Sequence, residues 1–230
     1  MSTEKRAAGA VDELQMWGRR VAARLSRHRK RLDIHSELER LDINLEKDDP
    51  RVVRIGEELR TREARGYAYE GGDASFELLA RGLMGQVPQY FSVDSFHVIE
   101  KCYTDHGRPT TVSEASVRVL IHGDHEPVWS VAEGPGPVCA LDQALRENLG
   151  PYQPHIRDFE LVDYKVRLLR GSPGPVTRVH VESRDRTTGE HWFTVGVSAN
   201  IVDAIFEALV DAINYKLLKS NAEVAHALAS

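Results

Sequence analysis

The sequence predicts an α+β fold in which a helical arm precedes a duplicated βββα domain. Up to about residue 90, apolar residues recur at three- and four-residue steps, which is typical of helices. From Val93 onward the step becomes two, as in strands. An order of three strands and one helix then occurs twice, with Trp129 and Trp192 in the two third strands, 63 residues apart. Val138 and Ile201, on the two helices, have the same offset, which indicates an internal repeat.

The arm is predicted to cover residues 1–90. Asp49 and Pro50 suit the cap and first turn of a helix, and Gly66 is expected to end it. A further helix is predicted to begin near Asp73 and to end by Gly85. Before them, a basic amphipathic helix is indicated by apolar residues at helical spacing: Val11, Leu14, Trp17, Val21 and Leu25.

The duplicated βββα domain is predicted to cover residues 91–220, with a tail at 221–230. Strands are expected at 96–103, 112–122 and 127–132, followed by a helix from Pro137. The second unit repeats this pattern at 162–168, 176–182 and 191–197, followed by a helix from about Asn200 to Leu218. That last helix is apolar on two sides, so it is expected to be buried from two directions. Its second cover is either this chain or another subunit.

The composition excludes several classes of protein. The 230 residues carry 30 Lys and Arg against 35 Asp and Glu, a net charge of −5, which argues against a dedicated nucleic-acid binder. No apolar run of 18 residues predicts a membrane span, and the polar first ten residues do not resemble a secretory signal. The two cysteines, Cys102 and Cys139, make no disulfide framework. We therefore expect a reducing, cytoplasmic setting.

Two loops have the composition of an anion site. Two glycines let a ligand approach the backbone of the first loop, and a proline then begins a helix whose free N–H groups attract a carboxylate. The start of the second long helix repeats this arrangement. The chemistry suits an anionic small molecule with an apolar tail, and a tight turn is the structural alternative. The candidate residues are Gly134, Gly136, Pro137, Cys139, Val197, Ser198, Ala199 and Asn200.

Other motifs favour structural roles. His122 and His125 lie in a glycine-containing turn, where polar residues are expected, so we predict no metal site there. The chain contains no GxGxxG, GxxxxGK[ST] or HExxH segment, so no cofactor is expected. Ser198 suits a helix cap better than a nucleophile, and Cys139 suits a small apolar core position.

Four segments in order resemble the α-isopropylmalate synthase and citramalate synthase family. They read GYAYE…DASFELL, EGPGPVCAL, LVDYKVR and WFTVGVSANI…ALVDAI-x-YKL, and they begin at Gly66, Glu133, Leu161 and Trp192. The resemblance covers about residues 42–218. It implies the C-terminal linker helices and the regulatory domain of that family, a pair of βββα units that dimerises and binds leucine or isoleucine as a feedback inhibitor.

The sequence departs from the family in its catalytic part. A (β/α)8 barrel needs roughly 250 residues, and neither the family's H-x-H metal pair nor its D-x-x-R-D-G segment occurs here. At the family's H-S-G-R segment this chain has His35-Ser36-Glu37-Leu38. We therefore expect a regulatory, amino-acid-sensing homodimer that stands free of its barrel. The alternatives are a component of an acetyl-CoA-dependent synthase with a separate barrel subunit, and a dimerising scaffold without ligand.

Overall fold

The computed structural model describes residues 33–170 and 174–224, and it has the predicted α+β architecture. The basic helix expected at residues 11–25 and the final six residues lie outside the described residues. The elements are α1 (Ile34–Arg40), α2 (Pro50–Ala64), α3 (Asp73–Leu83), β1 (Phe91–Asp105), β2 (Arg108–Ile121), β3 (Val128–Gly134), α4 (Pro137–Glu147), a 3-10 turn (Gly150–Tyr152), α5 (Gln153–Ile156), β4 (Phe159–Arg170), β5 (Pro175–Asp185), β6 (His191–Ser198) and α6 (Ile201–Lys219).

The arm helices begin and end close to the predicted positions. The Asp49 side chain accepts a hydrogen bond from the Arg51 N–H at 2.8 Å, and Pro50 is the first residue of α2. Gly66 follows the helix with a φ of +110°, a conformation that favours glycine. The helices share a buried cluster with β6, which we call the arm cluster: Leu38, Ile43, Ile55, Leu59, Tyr67, Tyr69, Phe76, Leu79, Ala80, Val195 and Val197.

Each unit is a three-stranded antiparallel sheet with strands in chain order, β1-β2-β3 and β4-β5-β6. Side chains alternate between the two faces of each strand, and one face of the central strands is buried under helices. These inward residues are Ala115, Val117, Val119 and Ile121 in β2, and Thr177, Val179, Val181 and Ser183 in β5. The first strand of each unit also carries a bulge, between Val93 and Ser95 and between Leu161 and Asp163.

The repeat is present, but the offset between the helices is 64 residues, because α4 begins at Pro137 and α6 at Ile201. The prediction that Trp129 and Trp192 occupy matching places is wrong. Trp129 is 53% exposed and Trp192 only 3%, since a shift of one residue moves a side chain to the opposite face of the sheet. Val138 and Ile201 are mismatched in the same way, one buried and the other exposed.

Helix α6 lies between the two sheets, and this chain itself supplies both covers. On one side, the Thr194 hydroxyl of β6 donates a hydrogen bond to the Ala208 carbonyl at 2.7 Å. On the other side, Phe206 stacks on Phe96 of β1 with ring centroids 4.2 Å apart. Both expected apolar stripes are therefore largely buried within one chain, although Ile201 at the start of the helix is exposed.

The connection between the two units contains structure that periodicity did not predict. Apolar residues continue at helical spacing from Val138 through Leu141 and Leu145 to Leu149, but the helix ends at Glu147. Leu149, Tyr152 and Ile156 are nonetheless buried, because the 3-10 turn and α5 fold this linker onto the core.

We predict that Gly196→Ala strongly destabilises the fold. A Cβ at this position would lie 2.0 Å from the Ala204 carbonyl oxygen and 2.9 Å from the Ala208 nitrogen. The helix backbone must therefore move away from β6, at a cost of about 1–3 kcal/mol or more. Gly82→Ala is the control, since its Cβ meets no atom within 4 Å and alanine favours the helix. Thermal unfolding should show a lower midpoint for the first variant and an equal or higher one for the second; equal midpoints for Gly196→Ala and the parent would contradict the close packing.

Candidate effector site and its connection to the arm

The two predicted loops lie at corresponding places in the two units. Residues 134–139 join β3 to α4, and residues 197–200 join β6 to α6. Each loop follows the third strand of its sheet and begins the helix that covers that sheet. The sequence-based expectation of two related helix starts is therefore correct in topology, but the two starts differ in chemistry.

The start of α4 is open. Its cap residue, Gly136, has no side chain to accept a backbone hydrogen bond, Pro137 fills the first position, and the first turn contains no acidic residue. The first N–H groups of a helix have no partner within the helix. Together with the helix dipole, those of Val138 and Cys139 make a position that favours an anion.

The start of α6 is occupied by its own side chains. The Asn200 side chain accepts a hydrogen bond from the Val202 N–H at 2.9 Å, and Asp203 adds a negative charge in the first turn. The Ser198 hydroxyl accepts from the Asn200 N–H at 3.1 Å and lies 3.4 Å from the Asp203 carboxylate. A second anion at this helix start would meet an existing carboxylate.

The two glycines of the first loop have different roles. A Cβ on Gly134 would lie 2.8 Å from the Ala140 nitrogen, so glycine is needed there for α4 to pack closely on β3. A Cβ on Gly136 would meet no atom within 4 Å, and its backbone is extended, so any residue fits it. Of the two, Gly136 is therefore the glycine that leaves room for a ligand.

A separate depression adjoins each helix start. A cleft of about 300 Å³ lies beside Cys139, between α4 and the beginning of β4. A wider groove of about 730 Å³ lies beside Asn200, between α6 and residues 93–98 of β1, and Phe206 lines it. The candidate residues thus divide between two places that the internal repeat relates to each other.

The α4 cleft has apolar walls and several charged groups. Phe159 and Leu161 form part of its wall. Asp142 is buried and pairs with Arg146, whose Nε donates to the carboxylate at 2.9 Å; burial raises the pKa of Asp142 despite this pairing. Arg157, Glu160 and Arg186 also line the cleft. No spacing pattern in the sequence pointed to these residues, because they converge from α4, β4 and the loop after β5.

Two carboxylates that lie close to the candidate segments in the sequence, Glu133 and Asp163, have partners outside the cleft. Glu133 lies 3.3 Å from the Lys101 ammonium on the outer side of the first sheet. The Asp163 side chain accepts a hydrogen bond from the Tyr164 N–H at 2.8 Å. Glu160 also has a partner, since its carboxylate accepts from the Arg184 Nε at 3.1 Å. It is the one of these three carboxylates that lines the cleft.

Val197 belongs to the arm rather than to a ligand pocket. Its side chain is buried in the arm cluster, and its N–H donates to the Glu207 carboxylate at 2.9 Å. Ala199 and Asn200 are exposed, and Ser198 is partly buried. The second loop therefore couples sheet, helix and arm.

A polar stripe on α6 fastens the arm to the domain. Its members recur every four residues and so share one face of the helix: Glu207, Asp211, Tyr215 and Lys219. Tyr67 hydrogen-bonds to Glu207, Ser75 donates to Asp211 at 2.6 Å, and Glu77 accepts from Tyr215 at 3.1 Å and Lys219 at 2.9 Å. We call this set of contacts the arm latch.

The latch holds two carboxyl groups in unusual states. Burial raises the pKa of Asp211 to about 7, and the neighbouring Glu207 adds to the effect. Burial also acts to raise the pKa of Glu77, but hydrogen bonds from Lys219 and Arg81 outweigh it and lower the pKa. The Glu77 carboxylate is thus compensated by Lys219 and Arg81. The Asp211 carboxyl ionises near neutral pH.

The second sheet adds further contacts to the arm. The Arg178 Nε donates to the Gly66 carbonyl at 2.6 Å, and the His180 Nε2 lies 3.2 Å from the Ala68 carbonyl. Burial lowers the pKa of His180 to about 4, so this ring is neutral at physiological pH. The backbone between α2 and α3 is therefore tied to β5 as well as to α6.

Within the described ranges, no group of three or more His, Cys, Asp or Glu side chains converges to hold a metal ion. In the same part of the chain, no helix has the length and apolarity needed to cross a membrane.

Fold and site together define a duplicated βββα domain with a ligand-sized cleft at one helix start and a helical arm fastened to the other helix. A family model described as the LeuA allosteric (dimerisation) domain matches residues 70–217. The chain belongs to this family.

The curated relatives are (R)-citramalate synthases. The chain is 42% identical over 192 residues to the protein from Geobacter sulfurreducens, an alignment covering 83% of this chain and 35% of the relative. The protein from Aquifex aeolicus is 35% identical over 193 residues, 84% of this chain and 36% of the relative. The protein from Synechocystis sp. is 39% identical over 186 residues, an alignment covering 80% of this chain and 34% of the relative. The chain spans about a third of the length of these relatives, and its matched domain is regulatory and not the catalytic barrel.

We predict that Asp211→Asn makes the protein less sensitive to pH. A carboxyl whose pKa is higher in the folded than in the unfolded chain binds more protons when folded, so stability falls as the pH rises from about 4 to about 7. The asparagine keeps an acceptor for Ser75 but avoids this cost. At pH 8 the variant should therefore exceed the parent in free energy of unfolding by on the order of 1–2 kcal/mol, less than the full pKa shift implies, because Asp211 is only partly buried and solvent screens part of the cost.

Denaturant unfolding at pH 5 and pH 8 tests this expectation. The advantage of Asp211→Asn should be larger at pH 8 than at pH 5. Asp203→Asn removes the same charge from an exposed position of α6 and controls for net charge. The same stability difference at both pH values would contradict a carboxyl that ionises near neutral pH.

Proposed function

We propose that this chain is an amino-acid-sensing regulatory domain whose effector is a branched-chain amino acid, leucine or isoleucine, bound at the start of α4. The observation that carries the proposal is the open α4 start beside a cleft that is lined by both apolar and charged side chains, in a chain that belongs to an allosteric-domain family. A cavity of about 300 Å³ is at the small end of ligand pockets, which suits an amino acid.

Each part of the effector has a counterpart in the cleft. The carboxylate accepts hydrogen bonds from the N–H groups of Val138 and Cys139, with a dipole contribution of roughly 0.3–1 kcal/mol. The ammonium faces Glu160. The branched side chain packs against Phe159 and Leu161, and its burial contributes up to about 1.5–3 kcal/mol. The self-capped start of α6 favours placing the carboxylate in the first unit.

The proposed setting is that of feedback regulation in branched-chain amino acid biosynthesis. The domain acts as a homodimer in the cytoplasm, without nucleic acid or membrane. It reports effector binding to a citramalate- or isopropylmalate-synthase barrel, through the arm. In the alternative in which the chain is a synthase component, that barrel is a separate subunit that transfers the acetyl group of acetyl-CoA to a 2-oxo acid.

Calorimetric titration with leucine, isoleucine and valine tests the site. We expect binding by the parent and its loss in Gly136→Val, because the added isopropyl group fills the approach to the helix start. The φ at Gly136 is −173° and its surroundings are open, so the variant should fold normally. Gly174→Val, in equally open space in the β4–β5 turn, is the control and should bind like the parent.

Two results would overturn this proposal. If Gly136→Val binds as tightly as the parent, the site lies elsewhere. If no branched-chain amino acid binds the parent, the scaffold without ligand becomes the better description. Glu160→Gln adds a second test, since it should weaken binding without affecting the helix start.

We also predict that the purified 230-residue chain does not release CoA from acetyl-CoA in the presence of pyruvate or another 2-oxo acid, with or without Mg²⁺ or Mn²⁺. The family's H-x-H metal pair does not occur in the sequence, and this chemistry requires a Lewis acid to polarise the oxo group. Release of free CoA that depends on the 2-oxo acid would contradict this prediction.

A further inference from the structure

Strand β4 exposes a row of large apolar side chains. They lie on the face of the sheet that is buried along the neighbouring strand β5. Tyr164 is 45% exposed, Val166 41% and Leu168 67%. In the register, Tyr164 lies opposite Val181 and Val166 opposite Val179, and both of these β5 residues are fully buried. We call Tyr164, Val166 and Leu168 the β4 stripe.

The internal repeat shows why the β4 stripe is uncovered. Counted from the two bulges, Phe96 of β1 corresponds to Tyr164 of β4. Phe96 is covered by Phe206 of α6. The residue of α4 that corresponds to Phe206 is Asp142, which pairs with Arg146 instead of reaching the sheet. Among the described residues, 33–170 and 174–224, the first unit thus obtains its cover from this chain and the β4 stripe has none.

We propose that the β4 stripe is the surface through which two copies of this chain associate. This inference deepens the homodimer of the proposed function and rests on it. Three observations select a second copy as the occupant. The family is a dimerisation domain, α6 is already covered within one chain, and β4 is an edge strand that another copy can approach. A twofold axis beside the strand lets each stripe cover the other.

The other exposed apolar residues form a less suitable surface. Trp129 and Val131 lie on the outer face of β3, the edge of the first sheet. The Arg118 guanidinium lies over the Trp129 ring at 5.6 Å, and Lys101 bonds Glu114 and Glu133 on the same face. That face therefore carries charges between its apolar residues, whereas the β4 stripe is continuous.

Sedimentation velocity across a concentration series tests the surface with a matched pair of variants. Val166→Lys and Val131→Lys make the same change at exposed positions on edge strands of the two sheets, 41% and 54% exposed. We expect the parent and Val131→Lys to be dimers. The dimer Kd of Val166→Lys should rise at least about 30-fold, the size of an interface hot spot. Leu168→Lys should have the same effect.

Each outcome decides a different point. Circular dichroism and thermal unfolding should show both Val variants folded, because neither side chain is buried in the single chain; if Val166→Lys is unfolded, Leu168→Lys carries the test. A Val166→Lys dimer as tight as the parent's overturns the β4 surface and leaves the homodimer intact. A monomeric parent overturns both, and dissociation by Val131→Lys alone moves the interface to β3. Amino-acid binding by calorimetry is measured separately, so its failure is distinguishable from these results.

Discussion

The structure depends on the close packing of α6 between the two sheets. The helix approaches β6 so closely that Gly196 has no room for a Cβ, and Ala204, Ala208 and Ala212, one turn apart, are fully buried along it. On the opposite side its Phe206 reaches the first sheet. A single helix thus joins the cores of both units into one cluster. Protein interiors are packed as densely as organic crystals. A shift of this helix would therefore change its packing against both sheets.

The same helix connects the candidate effector region to the arm. Its start lies at the loop that corresponds to the start of α4. The helix packs against α4, and its polar face makes the contacts of the arm latch. The latch contacts are made by side chains four residues apart, so they move with the helix as a unit. A change in the packing of α4 against α6 would therefore also change the contacts that α6 makes with residues 66–83 of the arm. Under the proposed function, the regulatory signal would be a rearrangement of packed elements that have few alternative positions.

Periodicity and turn chemistry predicted much of this fold, and the reasons for its failures are physical. The alternation in β2 and the cap at Asp49 are local signals, and the structure confirms them. The cap of α6 was expected at Ser198 and is Asn200 instead, whose side chain accepts from the Val202 N–H. The repeat was detected, but matching the two tryptophans gave an offset of 63 residues, one fewer than the offset of 64 between the two helix starts. The type of a residue does not show which face of a sheet its side chain occupies. The exposure of the β4 stripe was not predictable, because an apolar face looks the same in sequence whether its cover is this chain or another.

The candidate site was predicted in part. The loops are where the sequence analysis placed them, whereas the position of Glu160 beside the cleft depends on tertiary placement.

Hydrogen exchange of the 230-residue chain, with and without leucine or isoleucine, tests the central claim most directly. If the effector carboxylate binds the open helix start and α6 transmits the change, the amides of residues 136–140 should be protected, and exchange in the arm segment 66–80 should change with them. Protection at residues 197–202 in place of 136–140 would contradict the assignment of the carboxylate to α4. Protection at 136–140 with an unchanged arm would contradict transmission through α6, and no change anywhere would contradict the sensing function itself.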